Sequence, residues 1–150
     1  MSLRHLAFPL LLCVAASLSA QDQKARAMAL VKEAVAYRKQ FGPAMLIKET
    51  NMGQGRFHFK PATDLYIFIF DLKGFALAHG FQGDLVNINR WDSKDPEGNY
   101  FVREFVQTAQ AKGSGWVDYK YINPKTRKLD GKTSYVELVE GMVVGCGVYK

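Results

Sequence analysis

Hydrophobic and polar positions alternate between two periods along this chain. From Gln21 to Phe41 the apolar residues Ala27, Leu30, Val31, Ala34, Val35, Tyr37 and Phe41 recur near every 3.6 residues. That spacing predicts one amphipathic helix, ended by Gly42-Pro43. Ala44 to Lys48 allows a further helical turn. Arg56 to Lys60 (RFHFK) alternates as a short strand does, and Pro61 ends it. The run Leu65 to Phe70 is apolar without a break and rich in aromatic and β-branched residues, as a strand buried on both faces is. DLKG (Asp71 to Gly74) supplies a turn, and Phe75 to Ala78 the return strand, ending on His79. The expectation is a central β-hairpin.

After a loop rich in Gly, Asn and Asp (Gly80 to Gly98), Asn99 is the expected N-cap of a helix over Tyr100 to Lys112. Its buried stripe is Phe101, Val102, Phe105, Val106 and Ala109. Three strands follow: Trp116 to Ile122, Lys132 to Val139 and Met142 to Tyr149. Short turns join them, so they pair antiparallel. Gly145 and Gly147 share one face of the last strand, where something packs closely. The predicted class is α+β, a central antiparallel sheet with a long N-terminal helix packed behind it.

The N-terminus changes the picture. Arg4 and His5, then the 13 mostly apolar residues Leu6 to Leu18, then Ser17-Leu18-Ser19-Ala20 read as a signal peptide over residues 1–20. The apolar part is too short for a membrane span, and no later stretch is long and apolar enough. One domain over 21–150 is left, expected to be periplasmic or secreted. The chain has 20 basic and 14 acidic residues; without Arg4, 19 against 14 leaves a net charge of +5. No basic stripe with interleaved aromatics accompanies that charge, so nucleic acid is not an expected partner. Cys13 leaves with the leader, and Cys146, now alone, forms no internal disulfide.

Little in the chain reads as catalysis or metal binding. Asp92, Asp95 and Glu97 cluster in a loop without the ligand pattern of a calcium site, and turn chemistry accounts for them. His58, His79 and Cys146 lack metal-ligand spacing. Cys146 has no evident base or oxyanion hole, so neither an enzyme nor a cofactor is predicted. Lys132 and Tyr135 in KTSY would suit a carboxylate: one brings charge, the other a directed hydrogen bond. A flat strand sends them to opposite faces, and a bulge or an edge position would be needed to bring both to one pocket. Tyr119 and Tyr121 share a face and Trp116 takes the other. Tyr119 is a pocket-wall candidate, and Trp116 suits either a pocket wall or the core.

The ordered set DLYIFIFDLKGFALAHG, Gly83 in GDLVNI, DSKDPEGNYFVREFV, GSGWVDYKYINPKT, KTSYVEL and VVGCGVYK resembles a single Cache domain, the PAS-like extracytoplasmic sensor module of bacterial receptors. The resemblance implies a pocket on one sheet face, closed by the loops between Gly80 and Gly98. It implies small ligands: carboxylates, amino acids, amines or similar metabolites. The Lys132/Tyr135 position corresponds to one that contributes to ligand binding in that family, and His79 matches a family position from which it could donate to a ligand oxygen. The expected ligand-binding set is His79, Tyr119, Lys132, Tyr135, Trp116 and Tyr66. The segment Asn51 to Thr63 departs from the family pattern. The expected role is a small-molecule sensor domain that passes its state to a membrane receptor or a second copy of itself. The alternative is an interaction or dimerisation module, working through the helix Gln21 to Phe41 without a small ligand.

Overall fold

The computed structural model describes the backbone over residues 9–150 and the side chains from residue 20 onward. The expected leader therefore lies largely outside the residues whose side chains are described. Among the described residues no helix is long and apolar enough to cross a membrane.

Two helices precede the sheet, α1 (Pro9–Phe41) and α2 (Pro43–Asn51). Pro43 is tolerated where α2 begins because the first turn of a helix needs no N–H donor there. The stripe Ala27, Val31, Ala34 and Val35 is buried, as its spacing requires. The region from Arg56 to Lys60 forms no strand; it contributes one isolated bridge, Lys60 to Leu65, and buries Phe57.

The sheet contains β1 (Phe68–Asp71), β2 (Ala76–His79), β3 (Ser114–Ile122), β4 (Leu129–Val139) and β5 (Met142–Tyr149). It is antiparallel throughout, in the order β2-β1-β5-β4-β3. The expected hairpin forms, with Gly74 at φ 86° in its turn. It is not central, however. β2 lies at an edge, and β5 occupies the middle because β1 pairs along its other side with the C-terminal strand, Phe68 opposite Gly145. A pairing across that sequence separation leaves no local signal.

The helix α3 (Phe101–Lys112) buries the expected stripe. Asn99 does not cap it. Its backbone N–H and Nδ2 instead donate to Asp95, at 2.9 Å each, closing the preceding turn. The two faces of the sheet carry separate cores. α1 covers one with Ile67, Ile69, Tyr135, Val144, Cys146 and Val148. α3 covers the other with Tyr66, Phe68, Phe70, Tyr119, Val136 and Val143.

Candidate functional site

Period-two alternation decides which residues meet. β4 runs in unbroken register, Lys132 opposite Tyr119 on one side and opposite Tyr149 on the other. Lys132 and Ser134 therefore face α3, whereas Thr133 and Tyr135 face α1. Tyr66, Phe68, Tyr119 and Tyr121 share the α3 face with Lys132, and His79 reaches it from the end of β2. Phe101 and Phe105 of α3 close it from above.

Two glycines of β5 make room. A Cβ on Gly145 would lie 2.3 Å from the Phe68 ring, and one on Gly147 would lie 2.4 Å from Lys132 Cε and 2.2 Å from Ser134 Oγ. The packing that their shared face predicted is thus the seating of Phe68 and of Lys132.

Lys132 is only 1% exposed. Its Nζ donates to Tyr66 Oη at 2.7 Å. It lies over the rings of Tyr66 (4.4 Å to the centroid), Tyr149 (4.9 Å) and Tyr121 (5.2 Å), with Phe68 and Tyr119 just beyond. Ring faces attract a cation. Among the described residues, however, no carboxylate forms an ion pair with it. Burial, which disfavours the charged form, pulls its pKa from 10.5 down to about 7.

His79 is also buried, and burial together with the charges of Lys132, Arg90 and His58 lowers its pKa to about 3. The ring is therefore neutral. Its Nδ1 accepts the backbone N–H groups of Gln82 (2.9 Å) and Phe81 (3.3 Å), so the ring proton sits on Nε2. Burial raises the phenols of Tyr66 and Tyr119 well above 10, keeping them as hydrogen-bond donors. Tyr119 Oη pairs with Ser134 Oγ at 2.9 Å, and its ring stacks on Phe101 at 5.1 Å.

Four of the six residues named from sequence thus come together: Lys132, Tyr66, Tyr119 and His79. Tyr135 and Trp116 do not. They pack on each other at 5.5 Å on the α1 face, where Tyr135 Oη donates to Glu137 at 3.1 Å and Lys24 sits over the Trp116 ring. The KTSY strand carries no bulge, so a separation of three residues sends Lys132 and Tyr135 to opposite sides. Sequence reasoning missed Phe68, Phe105, Phe101, Tyr121 and Tyr149 as wall residues. The alternation Tyr119/Tyr121 already carried the signal for one of them. Cys146 lies on the α1 face, and burial pushes its thiol up to about 12.

The cage encloses about 10 Å³, room for about one water molecule. Beyond Phe101 and Tyr121, which belong to both, an open cleft of about 500 Å³ is lined also by Gln82, Arg90, Lys94, Asp95 and Leu129. A hydrogen bond from Tyr121 Oη to Gln82 Oε1, 2.6 Å, ties β3 to the loop after β2 within the wall of this cleft. Asp95 is not available to a metal by its hydrogen bonding. Its two oxygens accept the N–H groups of Glu97, Asn99 and Lys120 and the Asn99 side-chain amide.

The comparisons agree with this architecture. Over 88 residues, 57% of its length, the chain is 35% identical to the sensor histidine kinase MctS of Rhizobium johnstonii and 31% identical to the methyl-accepting chemotaxis protein McpP of Pseudomonas putida. Those matches cover 19% and 16% of the two relatives, so the chain corresponds to a small part of each. Among solved structures, a methyl-accepting chemotaxis protein of Vibrio parahaemolyticus superposes with a TM-score of 0.75 at 19% identity, covering 89% of this chain and 92% of that one. A periplasmic sensor domain of a chemotaxis protein gives 0.64 at 25% identity, covering 94% and 98%. A Cache chemosensory domain, solved for carboxylic acid recognition, gives 0.61 at 22% identity, covering 96% and 99%. Residues 13–150 match the family model for single Cache domain 2, and the chain belongs to that family.

Proposed function

We propose that this chain is an extracytoplasmic sensor domain whose ligand is a small carboxylate, bound in the cage by Lys132. One observation carries the reading: a lysine amine fully buried on the ligand-side face, with no acidic partner among the described residues. A buried ammonium without a counter-charge is costly, and an acid entering the cage would supply one. Lys132 would give charge, Tyr66 and His79 Nε2–H directed hydrogen bonds, and the aromatic walls the apolar contact that small-molecule sites use. The family is a ligand-binding signalling module, and this arrangement asks for binding, not for bond breaking. The neighbour solved for carboxylic acid recognition shares the fold and so is consistent with the choice of ligand.

Admission requires the Tyr121–Gln82 link to part, because the cage itself is too small for an organic acid. In this reading the ligand-bound domain acts on a membrane receptor or on a second copy of itself. Thermal unfolding against a panel of short-chain acids, amino acids and amines tests the proposal. A carboxylate should raise the melting temperature with concentration, and Lys132→Met should remove that response. If no acid shifts the transition, or if Lys132→Met responds as the parent does, the reading is wrong.

A further inference from the structure

The cleft outside the cage carries its own charge, and that charge is not balanced within the cleft. Lys120 is paired with Glu97 at 3.0 Å. Asp95 spends both oxygens on four N–H donors. Arg90 is half-buried, and its Nε donates to Ser93 Oγ at 2.8 Å, which leaves both Nη groups without a carboxylate among the described residues. Lys94, the other cation of the cleft, lies over the Tyr100 ring at 4.7 Å and likewise has no acid partner.

A guanidinium presents a planar fork of donors matched to a carboxylate, and in a half-buried cleft that pairing is stronger than at an open surface. The cleft and the cage meet at Phe101 and Tyr121. A cavity of about 10 Å³ cannot take more of a ligand than one small group without expanding, whereas the cleft beside it holds about 500 Å³.

Resting on the carboxylate reading of the cage, we infer that the ligand spans both compartments: a dicarboxylate, or an acid with a second anionic end, with one carboxylate on Lys132 and the other on the Arg90 guanidinium. The ligand's middle passes between Phe101 and Tyr121 and takes the place of the Tyr121–Gln82 hydrogen bond. Arg90 is then the residue that selects two-headed acids over one-headed acids of equal length.

Butyrate and succinate have four carbons each and differ in one terminal group, a methyl or a carboxylate. Isothermal titration of both into the parent protein, Arg90→Gln, Arg90→Lys and Lys132→Met provides the test, with circular dichroism confirming that each variant folds. Succinate should bind the parent about tenfold or more tightly than butyrate, the worth of one charge-assisted pair. Arg90→Gln should remove that preference while leaving the butyrate affinity within about twofold of the parent's, a change small against one such pair. Arg90→Lys should keep part of the preference, and Lys132→Met should weaken both acids. The inference fails, with the cage reading intact, if butyrate binds as tightly as succinate. It fails in the same way if Arg90→Gln weakens both acids equally, since Arg90 would then grip the same carboxylate as Lys132. If neither acid binds the folded parent, the inference fails, while the cage reading falls only if no shorter acid of the thermal panel binds either.

Discussion

Lys132→Met should make the protein more stable, not less, while removing the proposed acid binding. Methionine preserves most of the side-chain volume in a site where Gly147 leaves no spare room around the lysine stem. In the unfolded chain the amine has its ordinary pKa of 10.5, and in the folded protein burial lowers it to about 7. At 1.36 kcal/mol for each factor of ten in proton affinity, folding with a protonated Lys132 costs about 5 kcal/mol below pH 7. The sign follows from the direction of the shift. Because the folded pKa lies below the unfolded one, the unfolded state holds more protons between pH 7 and 10.5, and stability gained from this group rises with pH across that window. The penalty falls to about 2 kcal/mol near pH 9 and vanishes above 10.5. Against this stands the loss of the Tyr66 partner, about 1–3 kcal/mol. The expected net gain for Lys132→Met at pH 7 is about 2–4 kcal/mol, shrinking to nothing or reversing by pH 10. Urea unfolding of parent and variant at pH 6, 7, 8, 9 and 10 measures it directly. A variant less stable than the parent at pH 7, or a difference that does not change with pH, would refute the reasoning that Lys132 is a desolvated, unpaired amine.

Four further outcomes follow from the same geometry. The proposed carboxylate site needs the charged amine, so above pH 7 affinity should fall towards tenfold per pH unit, read by titration between pH 7 and 9. His79 should stay neutral down to pH 4, seen as unchanged ring resonances by NMR. Its folded pKa of about 3 lies below the unfolded 6.5, so it should subtract about 1.4 kcal/mol of stability per pH unit as pH falls below 6. Tyr135→Phe, on the α1 face, should leave acid binding unchanged and cost about 1 kcal/mol or less through its bond to Glu137, whereas Gly147→Ala should lower acid affinity by displacing the Lys132 stem, as parallel calorimetry would show.

The sequence by itself determined the elements and their faces. A 3.6-residue stripe made α1 and α3 amphipathic, and alternation placed Tyr119 with Tyr121 and separated both from Trp116. The Gly145/Gly147 pair marks a close approach on one face of β5 without specifying its partners. These features are local: each follows from the geometry of one helix or strand and from burial of its apolar side. What only the tertiary structure decided depends on pairings far apart in sequence. β1 adds to β5, which moves the hairpin from the centre of the sheet to its edge and brings Tyr66 to Lys132 across 66 positions. The regular register of β4 turns Tyr135 away from the lysine with which KTSY groups it. The composition of KTSY suited an acid, but which residues of it could reach one depended on strand register and on the helix that covers each face.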